Sequence, residues 1–199
     1  CLPLAEIEAL LRQDPDRLVV VDEAYVDFGA ESALALLDRY PNLLVVRTMS
    51  KSRALAGMRV GYAVGSPDLI AALNCVKNSF NSYTLDRIAL AAAQGSVEDE
   101  AYFQANRRRI MNTREKTAAA LEELGFRVCP SQANFLFVSH PERGGKELLD
   151  TLREEGILAR WWGKPRIEGY LRITIGTEEE MERLIQVLRQ TLGRDKAQK

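Results

Sequence analysis

Two short apolar runs, Leu18-Val19-Val20-Val21 and Leu43-Leu44-Val45-Val46, constrain this chain more than any other feature, because neither contains a polar residue. A strand with one wet face alternates apolar and polar side chains, whereas a strand of a parallel sheet, covered by helices on both faces, reads as an unbroken apolar run. The segment between them, Ala33 to Leu37, reads helical. Strand, helix, strand is the alternation of an α/β fold with a mostly parallel sheet. Both runs end in polar residues, Asp22-Glu23-Ala24-Tyr25 after the first and Thr48-Met49-Ser50-Lys51 after the second. Ligands of open α/β sheets bind beyond the carboxyl ends of the strands, so these two endings are the first places to look for chemistry.

The remaining pattern fills in around them. Leu4, Ile7, Leu10 and Leu11 recur at helical spacing after Pro3, and Asp14-Pro15-Asp16 breaks that helix. A third strand is expected from Arg59 to Val64, a helix from near Pro67, and another over Thr84 to Ala93. A long charged helical pattern from Val97 to Leu124 stops at Gly125, a residue suited to a helix carboxyl end, and is expected to lead into a second domain. Strands are expected at Phe126-Val128, Asn134-Val138, Ile157-Ala159 and Tyr170-Thr174, with helices at Lys146-Glu155 and Glu178-Leu192. Thr177-Glu178-Glu179-Glu180 has the form of a capping box for the last helix. The charged tail Arg194 to Lys199 is expected to be frayed and solvated. The expected organisation is one domain over residues 1–105 and a small α+β domain over 106–199.

Composition removes several function classes. A formal net charge of -1 offers no basic excess to attract nucleic acid or anionic lipid, which leaves a small-molecule partner. No stretch approaches the ~18 apolar residues of a membrane helix. Cys1, Cys75 and Cys129 are scattered without paired spacing, which fits a reducing cytoplasm. His140 is the one histidine, so neither a histidine-based triad nor a multi-histidine metal site is available, and no metal is expected.

In the second polar segment, Thr48, Ser50, Lys51, Arg53, Gly57, Arg59 and Gly61 concentrate hydroxyls and cations just beyond an apolar strand. Two hydroxyls and a guanidinium can hold a phosphate, and Gly57 and Gly61 would let backbone approach closely. A lysine desolvated among cations has a lowered pKa and becomes a nucleophilic amine. The alternative is a polar surface loop with an ordinary lysine; for Asp22 to Tyr25 it is a strand end whose acids are solvated.

Together these segments resemble the fold-type-I aminotransferases, and within them the histidinol-phosphate branch, over essentially all 199 residues. The resemblance implies that Asp22 pairs with the pyridine nitrogen of pyridoxal 5'-phosphate and keeps it protonated, and that Tyr25 bonds the cofactor's phenolic oxygen. It implies that Thr48, Ser50 and Arg59 hold the cofactor phosphate, and that Lys51 carries the cofactor covalently and then moves the substrate proton. In Tyr170-Leu171-Arg172-Ile173-Thr174, Arg172 matches the arginine that grips the substrate α-carboxylate; the alternative is a surface arginine on a half-buried strand. Arg160 matches an arginine at the substrate's phosphate end, although the Trp161-Trp162-Gly163-Lys164-Pro165-Arg166 segment that follows is variable in related enzymes. Trp161 and Trp162 are expected to pack or form a lid. Asn78-Ser79-Phe80-Asn81-Ser82-Tyr83 and Gln132-Ala133-Asn134-Phe135 serve as markers of the branch, with Asn134 expected to cap a turn.

The activity so implied transfers an amino group from histidinol phosphate to 2-oxoglutarate, giving imidazole-acetol phosphate and glutamate, in the cytoplasm and in a homodimer. Alternatives are an aromatic aminotransferase, a threonine-phosphate decarboxylase, or a fragment with no catalysis. Residue 1 is Cys, and the likeness begins part-way through the family's large domain. The chain is therefore expected to be cut from a longer one, to leave a sheet edge open beside Leu18 to Asp22, and to turn over little by itself.

Overall fold

A computed structural model describes residues 1–194, and the chain divides into two compact units, Cys1–Arg107 and Arg108–Lys199. The expectation for the charged tail falls, from residue 195, outside the described residues.

In the first unit, α1 (Leu4–Gln13) turns Ile7 and Leu11 onto a core made with Ala33, Leu36, Leu43 and Val45. Fully burying a leucine of this kind is worth about 1.5–3 kcal/mol. The helix stops at Asp14. β1 (Val19–Asp22) then runs parallel to β2 (Leu43–Thr48), with Val19 opposite Leu43 and Asp22 opposite Val46. The helical reading of Ala33 to Leu37 resolves as one 3-10 turn over Ala33–Leu36, capped by Ser32. β3 (Gly61–Gly65) lies on the other side of β2 and runs antiparallel to it, Thr48 facing Gly61. Among the described residues β1 is thus an edge. Val20 is 53% exposed, so the expectation of cover on both faces of β1 is corrected: one face packs on α1 and the described chain leaves the other open.

Three helices follow. α2 (Pro67–Phe80) starts at a proline and buries none of its residues, leaving Leu73, Val76 and Phe80 exposed. α3 (Arg87–Glu98) begins later than Thr84 because the Asp86 side chain accepts the Ala89 N–H at 2.7 Å and sets the start. Asp99 then separates it from α4 (Glu100–Glu123), so the pattern from Val97 is two helices rather than one.

Glu8 ties α1 to the strand approach: its Oε1 accepts from Arg12 at 2.7 Å, Arg39 at 2.6 Å and the Tyr40 hydroxyl at 2.8 Å. The Tyr40 hydroxyl and then the two arginines outweigh the opposing effect of burial and hold the Glu8 carboxyl below its ordinary 4.5. A depressed carboxylate contributes stability above its unfolded pKa and loses it as pH falls through the folded value. Urea midpoints measured from neutral pH into acid are expected to fall less steeply below about pH 4.5 for Glu8→Gln than for the wild type.

The second unit is a four-stranded antiparallel sheet in the order β4 (Arg127–Val128), β5 (Phe135–Ser139), β7 (Tyr170–Thr174), β6 (Arg160–Trp161). Its buried face, Leu136, Val138, Leu171 and Ile173, packs with Leu148 and Leu152 of α5 (Gly145–Glu154) and Leu184 and Leu188 of α6 (Glu178–Arg194). α4 ends as its glycine predicts: Gly125 takes φ +86°, and Phe126 N–H turns back to Leu121 O at 3.0 Å. The capping box is reciprocal, Thr177 N to Glu180 Oε2 at 2.8 Å and Glu180 N to Thr177 Oγ1 at 3.2 Å. The strand expected at Ile157-Ala159 is displaced to Arg160–Trp161. Ile157 N–H closes onto Leu152 O at 2.8 Å after left-handed Gly156, and Ile157 and Ala159 pack on the core without pairing to a strand. Among the described residues no helix is long and apolar enough to cross a membrane, and no group of three or more His, Cys, Asp and Glu is placed to hold a metal.

Candidate functional site

In the first unit the two polar endings become one neighbourhood because β1 and β2 are parallel neighbours. Asp22 closes β1; its Oδ1 accepts the Ala24 N–H at 2.9 Å, which turns the chain and leaves the other oxygen at the surface. Beyond β2 the loop is closed at its base by Met49 N–H to Val60 O at 3.0 Å, and Met49 and Val60 pack on Ala89 and Ala93 of α3. Within it Thr48 Oγ1 accepts the Ser50 N–H at 3.1 Å. Lys51 Nζ lies 5.6 Å from the centre of the Tyr25 ring, so residues from the two endings meet there. Lys51 forms no ion pair with a described residue, and no carboxylate is committed to holding its charge.

The loop carries backbone strain at two non-glycine residues, Ala54 (φ +56°) and Arg59 (φ +57°). Left-handed backbone of this kind costs energy and concentrates at ligand sites. Arg59 is exposed and donates to Ala56 O at 2.8 Å. Gly61 has the close approach expected of it, since an added Cβ would stand 2.9 Å from Arg47 O, but Gly57 faces open space and needs no glycine for contact.

The supporting roles of Glu23, Arg47 and Arg53 escaped the sequence reading, which counted Arg53 only among the cations of the loop. Glu23, inside the Asp22 to Tyr25 segment, is buried: its Oε2 accepts Arg47 Nε at 2.9 Å and Nη2 at 2.8 Å and Ser32 Oγ at 2.9 Å, while Oε1 accepts Ala33 N–H at 2.5 Å. Burial opposes the charge on Arg47, but its bonds to Glu23 and Tyr62 prevail and raise its pKa. Arg53 pins the loop, donating to Ser96 O at 2.5 Å, pairing with Glu100 and lying 3.5 Å over the Phe103 ring. An acid and an arginine on adjacent strands were the available signal for the first pair. Nothing in the sequence pointed Arg53 inward.

In the second unit, the face of the sheet opposite the core carries Phe135, Phe137, Tyr170, Arg172 and Arg160. Arg160 and Arg172 stand directly opposite each other on neighbouring strands. Arg172 lies 5.3 Å from the Phe135 ring centre, and its Nε is buried with no hydrogen-bond partner. Phe137 stacks on Tyr170 at 4.6 Å. Two guanidiniums with no ion-pair partner among the described residues, that of Arg172 with an orphaned donor, fit an anionic ligand, since a buried donor left unmade is costly. Asn134 does not cap its turn; Ser131 Oγ does, accepting Ala133 N–H at 3.2 Å and donating to Phe135 O at 2.6 Å. His140 bonds only locally, its Nδ1 accepting the Glu142 N–H at 3.3 Å.

A family model, aminotransferase class I and II, matches residues 1–188. The chain belongs to this family. This aminotransferase chain is 56% identical over 191 residues to histidinol-phosphate aminotransferase of Acinetobacter baumannii, which covers 96% of the chain and 53% of that relative. It superimposes with a TM-score of 0.83 and 27% identity on histidinol-phosphate aminotransferase from Sinorhizobium meliloti in complex with pyridoxal-5'-phosphate, over 96% of the chain and 54% of that structure. L-threonine-O-3-phosphate decarboxylase from Porphyromonas gingivalis is similar at a TM-score of 0.79 and 26% identity, over 96% and 60% of the two chains. The aminotransferase chain spans about half the length of the curated relatives it matches.

Proposed function

We propose that this chain supplies the cofactor lysine and the substrate arginines of a pyridoxal-phosphate-dependent transaminase that moves an amino group from histidinol phosphate to 2-oxoglutarate. The observation that carries the reading is Lys51, an amine with no acid partner among the described residues, held beside Tyr25 at the carboxyl ends of two parallel strands. When bound, pyridoxal 5'-phosphate supplies an electron-poor ring that accepts the electron pair left as a bond to the substrate Cα breaks.

The chain's own residues fit the remaining tasks. The free oxygen of Asp22 accepts the pyridine N–H and keeps that nitrogen charged. The Tyr25 hydroxyl donates to the cofactor's phenolic oxygen. Thr48, Ser50 and Arg59 donate to its phosphate. Lys51 Nζ would hold the cofactor and, once released from it, would serve as the base that takes the proton from the substrate Cα. Arg172 grips the α-carboxylate of glutamate and 2-oxoglutarate, and Arg160 the phosphate of histidinol phosphate. On this reading residues 1–105 are part of the large cofactor-binding domain and 106–199 the small domain, in a cytoplasmic enzyme. The apolar residues that α2 leaves uncovered support a homodimer.

The likeness to the threonine-phosphate decarboxylase favours a second reading in which the same arginines orient the Cα–carboxylate bond for cleavage. Release of carbon dioxide against formation of glutamate separates the two. The first test is an absorbance spectrum of the chain incubated with pyridoxal phosphate, followed by borohydride reduction and peptide mapping. The expected result is a reduced adduct on the Lys51 peptide. A folded chain that takes no label would instead support a fragment without catalytic capacity.

A further inference from the structure

Trp162 is the least expected member of the second unit's arginine face. Strand alternation puts Arg160 on the open face and Trp161 on the core side; Trp162 follows the end of β6, and its ring contacts place it with Arg160. Trp161 is fixed on its side: its indole N–H donates to Glu168 O at 2.7 Å, and its ring fills the space a Cβ on Gly163 would enter, 2.8 Å away. The Trp162 ring lies 5.5 Å from the guanidinium carbon of Arg160 and 5.5 Å from that of Arg172, and it meets the Phe137 ring edge-on at 6.4 Å.

Like charges directly opposite across two strands repel and would splay apart into water. Neither arginine forms an ion pair with a described residue that would hold it. The π face of one indole, negative toward both cations, is what the structure offers in place of a carboxylate. A carboxylate would neutralise the pair and compete with the ligand; an aromatic ring steadies both charges and leaves their N–H groups free.

We propose that Trp162 is a positioning residue that braces Arg160 and Arg172 as a converging pair for a dianionic group, a phosphate monoester, over a monoanion. This rests on the reading of Arg160 as the phosphate ligand and of Arg172 as the carboxylate ligand of the alternate substrates; it brings Arg172 onto the phosphate as well when the phosphate monoester is bound, and adds a residue that steadies both. A change at this position alters which anions the site prefers while both arginines stay in place.

The test is a titration of the full chain with inorganic phosphate and, separately, acetate, followed by the backbone amide NMR signals of Arg160 and Arg172, so that phosphate held elsewhere does not register. Trp162→Leu is expected to bind phosphate about ten-fold more weakly, as follows from losing a cation–π contact to the paired cations, with acetate little changed. Trp162→Phe, which keeps a ring, is expected to stay within about three-fold of wild type. Equal phosphate affinity in Trp162→Leu and wild type, with Arg172→Ala losing it, overturns the brace but keeps the anion site. Phosphate signals that are absent in wild type, or unchanged in Arg172→Ala, overturn the anion site itself. Should the leucine variant fail to fold, the comparison of Trp162→Phe with Trp162→Met carries the same decision.

Discussion

Lys51→Ala is expected to reduce borohydride-fixed labelling by pyridoxal phosphate to background. Alanine has no amine to attack the cofactor aldehyde, and the chain offers no second lysine in the loop; the next along is Lys77 on α2. Lys51→Arg is a sharper control, because it keeps the positive charge beside the Tyr25 ring while removing the nucleophile, and it should label no better. The same nitrogen is asked to move the substrate proton. General acid–base groups contribute about 10²–10⁴-fold to rate, so the amino-transfer half-reaction should fall by at least that factor in either variant. Label persisting on another peptide in Lys51→Ala would show that Lys51 is a bystander. Lys51 is exposed, so circular dichroism and urea midpoints should match wild type, which distinguishes lost chemistry from lost folding.

Glu23→Ala is expected to destabilise the first unit by about 3–5 kcal/mol, the cost of leaving one partner of a buried ion pair alone. The side chain of Glu23 is 4% exposed and that of Arg47 19%, so solvent screens the pair little. Removing the carboxylate takes the counter-charge from the guanidinium, which keeps only its bonds to Ser32 and Tyr62, and takes the acceptor from the Ser32 hydroxyl and the Ala33 N–H together. Replacing both partners by apolar residues of similar volume should cost far less than either single change, because the penalty lies in the uncompensated charge. Both tryptophans lie in the second unit, so their fluorescence is blind to this effect. Hydrogen exchange at Val19 to Asp22 and Leu43 to Thr48 reads it directly. Unchanged exchange in Glu23→Ala would remove the pair from the account of stability. Glu23 lies between Asp22 and Tyr25, so its loss should also weaken cofactor labelling at Lys51.

The parts of the molecule legible in the sequence are those fixed by local rules. β7 falls where alternation put it, the last helix starts at its capping box, and Gly125 ends α4, because period, cap and left-handed glycine are written within a few residues. Errors arose where a distant partner decides. Ile157 and Ala159 are apolar for the core, and pairing waits for Arg160 to reach β7. Val20 reads as doubly covered, but the chain described here covers one of its faces. In the first unit the two polar endings were legible from the residues, while their meeting came only from the family resemblance: the 5.6 Å approach of Lys51 to Tyr25 depends on β1 and β2 being neighbours. Glu23 looked like a surface acid because charge alone does not reveal burial.

The alternation in β5 and β7 separates two kinds of change that are usually entangled. Leu136, Val138, Leu171 and Ile173 face the helices, while Phe135, Phe137, Tyr170 and Arg172 face the other way. A lineage can therefore explore new ligands by drifting at every second position without eroding the fold, and can harden the fold at the intervening ones without retuning what it recognises. A combinatorial library confined to 135, 137, 160, 162, 170 and 172 would sample new specificities on a scaffold whose interior it never touches.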